Sequence, residues 1–178
     1  MTGTLYRVNG YRFDALQVPA TYAQDRLWRG TSVATLTGNQ VATFANGTLG
    51  YEWDTDPIGP SRPPGAIDLS STTVTIPTGE QVLLDNGFRY GTGTMTHNLV
   101  MYRDQVSHAL VFGAGTVNWS WGLDSEHLYT DLAQGLTVPA DPRIQQATVN
   151  FLADMGAQPL TLQAGLGTGT GWHNHEST

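Results

Sequence analysis

Apolar and polar positions alternate in short bursts along most of this chain, and only one stretch keeps a helical period. In TLYRVNG and RFDALQVP the alternation is partial, and Pro19 closes the second run because its ring nitrogen has no N–H to give a ladder. ATYAQDRLWRGT fits one or two helical turns with Tyr22 and Arg26 on one side, and TSVATL returns to an extended pattern. TLGYEWD predicts a strand with Leu49, Tyr51 and Trp53 on one face and Gly50, Glu52 and Asp54 on the other, since strand side chains alternate. Pro57 to Gly65 follows, and its four prolines in nine residues exclude regular structure, so a loop leaves the acidic end of that strand. AIDLSSTTVTI and MTHNLVMYRD read as strands, GFRYGTGT as a glycine-rich approach to the second, and Ala109 to Phe112 as a short buried strand.

DPRIQQATVNFLADMG is the helix. Asp141 suits the N-cap, Pro142 the first helical position where a missing N–H costs nothing, and Gly156 the left-handed position at the end. Ile144, Ala147, Thr148, Phe151, Leu152 and Met155 recur in steps of three and four and predict the face laid on a sheet or core. These pieces fit an α/β arrangement, a mixed sheet carrying a C-terminal amphipathic helix. Many strands and few helices leave an α+β or β-dominated fold as the alternative. The 178 residues suffice for one apolar core, assigned to residues 1–164, with the glycine- and threonine-rich stretch 165–178, including His173 and His175, as a flexible tail.

Composition narrows the function. Fifteen acidic against eight basic side chains give a net charge near −7, so the chain lacks the basic footprint that nucleic acid or an anionic membrane requires. Cysteine is absent, which removes disulfides, thiolate nucleophiles and thiolate-bound zinc. No apolar window reaches a membrane span and the N-terminus lacks a signal-peptide pattern, so a cytoplasmic protein is expected, or a secreted one if a leader is missing. At 13% the charged residues fall well below the usual quarter, which fits a surface covered by a partner or the Ser/Thr/Gly surface of an exported protein.

Candidate chemistry centres on the acidic strand end. Glu52, Asp54 and Asp56 could serve a metal or substrate, but a tight metal site needs three or more ligands, and a solvated acidic loop is the plainer expectation. His97 stands alone at a strand entry, Ser120 has no histidine partner in sequence, and no zinc-protease, phosphate-loop or nucleophile-elbow motif occurs. Trp119 and Trp121 suit core packing ahead of a pocket wall, and Gly113 to Thr116 suits a tight strand exit ahead of a ligand-binding backbone.

Taken together, GTLGYEWDTD, GTGTMTHNLVMYR, ALVFGAGTVNWSWGLD and DPRIQQATVNFLADMGAQPLTLQ resemble the C-terminal part of the large (beta) subunit of N,N-dimethylformamidase and its bacterial relatives, over residues 2 to 166. The resemblance implies part of a class I glutamine amidotransferase-like domain, and amide hydrolysis of small N-substituted formamides at an iron held by two tyrosines and a glutamate. Glu52 matches that glutamate, with Asp54 and His97 as proton-handling neighbours and Trp53, Trp119 and Trp121 as pocket walls. The two tyrosines lie upstream in the family, so Tyr6, Tyr11 and Tyr22 are not assigned to their places. The chain is then expected to bind iron only when a missing N-terminal half or another chain supplies the remaining ligands, and to be inactive alone. The competing expectation is a noncatalytic module that forms homo-oligomers through exposed sheet edges. Glycan binding through exposed Trp and Asp residues is a third.

Overall fold

Two long β segments of the sequence are each cut in two by a shared crossover. The structure, a computed structural model, describes residues 2–10, 12–77, 79, 81–85, 87–127 and 136–169. Its strands are β1 (Leu5–Val8), β2 (Asp14–Pro19), β3 (Val41–Leu49), β4 (Trp53–Thr55), β5 (Ile67–Asp68), β6 (Thr72–Ile76), β7 (Val82–Leu83), β8 (Tyr90–Gly91), β9 (Gly93–His97), β10 (Val100–Arg103) and β11 (Leu110–Gly113), followed by helix α1 (Pro142–Asp154). The crossover lies at Leu69–Ser71 and Asn98–Leu99. Leu69 N–H donates to Leu99 O, Leu99 N–H to the Ser70 hydroxyl, and the Asn98 amide to Ser70 O, each at 2.8 Å. Both polar side chains are buried, so they supply the ladder bonds that each chain loses in switching sheets.

The strands form four small sheets, ordered β4-β1-β7-β8, β11-β10-β5, β2-β3 and β6-β9. Every pairing among these strands is antiparallel. The described residues are therefore mixed and β-dominated, small antiparallel sheets with one α-helix, and the strand–helix–strand layout of a parallel doubly wound domain is not among them. Leu16, Leu27, Trp28, Leu49, Trp53, Leu69, Leu99 and Ile144 make the common core.

The termini of α1 follow the sequence. Asp141 accepts a 2.8 Å bond from Arg143 N–H, Pro142 opens the helix, and Gly156 takes φ +88° just past its end. The buried face follows the expected stripe in part. Ile144 and Ala147 are buried and Phe151 packs on the core against Phe112, but Leu152 and Met155 are exposed, and a row of Gln146, Asn150 and Asp154, one turn apart, also points inward. Its partners explain the added row. Asn150 donates to Leu27 O and Arg29 O, Gln146 exchanges bonds with the Gly167 backbone, and Asp154 accepts from Arg26 and Arg29. Gly167, in the stretch expected to be tail, is thus bonded to the helix, and Gly169 lies against Ala153; 170–178 lie outside the described residues.

Two further local expectations change. Ser32–Thr35 forms a 3-10 turn rather than a strand, because the Thr31 side chain accepts the Val33 N–H and caps it. TLGYEWD is not one strand either. β3 ends at Leu49, the chain bends over Gly50–Glu52, and β4 joins a different sheet at Trp53. Leu49 and Trp53 stay buried while Tyr51 turns outward, 40% exposed.

Candidate active site

The bend before β4 is held from the next layer. Gly50 N–H donates to the Thr116 hydroxyl at 3.0 Å, which reaches Thr48 O at 3.4 Å, and Asp54 N–H donates to Gly115 O at 2.7 Å. The segment after β11 therefore runs beside β4 as a short pairing, with Trp53 bridged to Thr116. This is the tight strand exit expected for Gly113 to Thr116, and two of its glycines are needed for contact. A Cβ on Gly113 would lie 2.5 Å from Thr2 O, and one on Gly115 3.1 Å from the His97 ring at a φ of +59°.

Glu52 and Asp54 now face one cleft of about 270 Å³ with Thr2, Thr4 and Tyr6, backed by Phe112–Val117. Tyr6 is brought there by the β1–β4 register, in which it lies opposite Asp54. Burial, then a hydrogen bond and electrostatic contact with Tyr90, then the charges of Glu52 and Asp54 push the Tyr6 phenol up. Tyr6 therefore stays a neutral hydrogen-bond donor. Asp54 is anchored, its Oδ2 accepting from the Thr4 hydroxyl at 2.6 Å. Glu52 makes no ion pair among the described residues.

The other expected site residues lie elsewhere. His97 is fully buried behind the cleft wall, edge-on to Trp53. Its Nε2 donates to Ala114 O at 2.9 Å, since a carbonyl can only accept, and this leaves Nδ1 unprotonated, buried and without a partner. Burial lowers its pKa to about 4, opposed by the Ala114 and Gly115 backbone. His97 thus supports the wall and does not reach the cleft. Trp53 is 1% exposed with its indole N–H on Asp14, Trp119 packs on Phe112 and bonds Thr148, and Trp121 stacks on His127 and Phe13. None of the three tryptophans lines the cleft. Asp56 is absorbed by an ion pair with Arg62 at 2.6 Å.

Tyr6 and Thr4 line the cleft although the sequence assigned neither a role there. Tyr6 and Thr4 reach it through strand pairing over a long separation, and only the alternation in TLYRVNG hinted at a strand able to present them.

Iron, which the family resemblance brings with it, finds an incomplete shell here. Among the described residues no three His, Asp or Glu side chains converge. Asp54 is tied to Thr4 and the Tyr6 phenol to Tyr90, so Glu52 is the single uncommitted carboxylate.

Among the described residues no helix is long and apolar enough to cross a membrane. Comparison with curated proteins and with solved structures gives no match. A protein-family model described as N,N-dimethylformamidase beta subunit-like, C-terminal, matches residues 1–131, most of the chain, and the protein belongs to that family.

Proposed function

We propose that this chain supplies the acidic wall of an amide-hydrolysing site acting on small N-substituted formamides, and that the site is incomplete until a further segment or chain joins it. The observation that carries the reading is the meeting of Glu52, anchored Asp54 and neutral Tyr6 in one cleft, in a chain of this family. Amide hydrolysis needs a base for the attacking water and a proton for the departing amine. Glu52 is the base, Asp54 receives and relays the proton, and the neutral Tyr6 phenol, bonded to Tyr90, lines the cleft beside them. His97 acts through the wall it holds. The family name speaks of a beta subunit, and the partner is accordingly the remainder of such an enzyme, which also completes a glutamine amidotransferase-like domain and any iron shell.

Formamide hydrolysis by the chain alone, and by the chain mixed with the preceding half of a family member, tests this. Activity is expected only in the mixture and falls at least 100-fold on Glu52→Gln, as loss of an acid–base group does. Activity that survives that substitution overturns the assignment.

A second reading, a noncatalytic pairing module, is favoured by the β7–β8 edge hairpin, whose tip exposes Phe88 at 92% and Leu84 at 46%. Light scattering over a wide concentration range, with and without Phe88→Ser, separates the two: a strictly monomeric chain removes it.

A further inference from the structure

Away from the acidic cleft, the sheet β11-β10-β5 leaves one of its faces partly covered. Register pairs Met101 with Ile67 and Phe112, and Arg103 with Leu110, so these side chains share that face. Phe112 stacks on Phe151 of α1, and the 3-10 turn Arg26–Trp28 lies against the same helix. A pocket of about 320 Å³ remains between sheet, turn and helix end, with Leu27, Leu69, Met101 and Leu110 as its apolar lining. It shares no lining residue with the acidic cleft.

Four charged side chains border this pocket, Asp25, Arg26, Arg103 and Asp154. Arg26 meets Asp154 at 2.7 Å and Arg29 reaches the same carboxylate, so that side answers itself. The other two are not answered. Asp25 is half-buried at the N-cap of the 3-10 turn, where an aspartate ordinarily accepts a backbone N–H, and its side chain makes no such bond. Among the described residues it has no ion pair, and burial, with no cation opposing it, pushes its carboxyl up. Arg103 donates through Nη1 to His108 O at 2.6 Å and has no carboxylate partner among the described residues. Asp104 beside it is spent on the hairpin turn, where it accepts from Val106 N–H, Ser107 N–H and the Ser107 hydroxyl. A negative and a positive group thus border one apolar floor without neutralising each other. A charge held partly out of water is costly until it is paired.

We propose that this pocket binds a zwitterionic amino acid with an extended apolar body, its ammonium on Asp25, its carboxylate on Arg103 and its methylenes on Leu27, Met101 and Leu110. The guanidinium keeps N–H donors in the planar fork that a carboxylate accepts. An apolar lining with a few charged groups at its border is the usual make-up of a small-molecule pocket. The assignment does not rest on the acidic cleft and stands whether or not that cleft hydrolyses amides.

Calorimetric titration of the full chain with 4-aminobutanoate, 6-aminohexanoate and 8-aminooctanoate, each beside the alkylamine and the alkanoate of the same length, tests this in the wild type, Asp25→Asn and Arg103→Gln. At least one of the three amino acids is expected to bind the wild type about tenfold more tightly than either singly charged counterpart. Asp25→Asn should remove its advantage over the alkanoate and keep that over the alkylamine. Arg103→Gln should do the reverse, a reciprocal pattern that a loss of folding does not produce. Backbone amide shifts of the wild type on adding the bound amino acid should include Asp25, Met101 and Arg103, a readout independent of any variant. No binding by any of the three, equal affinity for the amino acid and one of its counterparts, or the same loss in both variants overturns the proposal. Shifts centred on Glu52 and Asp54 would put the ligand in the acidic cleft and overturn it as well.

Discussion

Thr4 donates a 2.6 Å hydrogen bond to Asp54, fifty positions later, and so fixes one oxygen of a cleft carboxylate from the strand-leading segment opposite it. A hydroxyl bonded to an ionised acceptor contributes about 1–2 kcal/mol where the pair is partly buried. Thr4→Val should lower stability to urea by that amount, and Thr4→Ser, which keeps the donor, by much less. Equal losses in the two variants would assign the effect to the methyl group instead.

His97 ties cleft and core to pH. Burial holds its folded pKa at about 4, below the ordinary histidine value of 6.5, so between those values the unfolded chain binds the extra proton. Stability is therefore full above about pH 6.5 and falls as pH drops toward 4, by about 3 kcal/mol in all from this group. The imidazole resonances should show no titration between pH 5.5 and 7.5. His97→Asn should flatten that part of the stability profile, whereas a midpoint near 6.5 would contradict the buried, neutral ring.

Polar contacts join Ile144, Ala147 and Phe151 in docking the helix, with the Asp154 side chain 3% exposed between two partly exposed arginines. Removing that carboxylate takes away charge-assisted bonds at about 1.5–3 kcal/mol. Asp154→Leu should cost that much by denaturant unfolding. Leu152→Ala, at an exposed position of the same turn, should change stability by under ~0.5 kcal/mol. The opposite ranking would restore the apolar stripe as the docking face.

That ranking shows what a linear sequence reveals here. Asp141, Pro142 and Gly156 mark the helix ends because a cap is satisfied within a few residues of itself. The buried face depends on Leu27 and Arg29 carbonyls and on two arginines over a hundred positions away, which make Asn150 and Asp154 better inward residues than Leu152. The site divides in the same way. Glu52 and Asp54 are near neighbours whose acidity stands out locally, and they do share a cleft. Tyr6 and Thr4 arrive by strand register, which alternation cannot fix, and the crossover at Ser70 and Asn98 is set by bonds between two segments that each look like one continuous strand.

Arg62 clasps the proline-rich loop, donating to Asp56, to Ala66 O and to Asp68. It stands between Asp56 and Asp68, and the Asp68 carboxyl is pushed up by burial, then by Asp56, with Arg62 opposing. Asp56 Oδ1 is buried without a partner of its own. In Arg62→Met the two carboxylates face each other uncompensated, which raises the Asp68 carboxyl further. An acid whose folded pKa is raised above its unfolded value destabilises the fold while ionised, and the penalty lifts as pH falls through the folded pKa. The variant should therefore lose about 1–3 kcal/mol at pH 7, in keeping with charge-assisted bonds removed from a partly buried site, and recover part of it at a second, acidic pH where the raised Asp68 carboxyl protonates. Limited proteolysis at pH 7 should cut between 57 and 65 in the variant before the wild type. A loss that is the same at both pH values would mean that Arg62 acts only by packing, and an unchanged cleavage pattern would mean that the loop holds its place without the clasp.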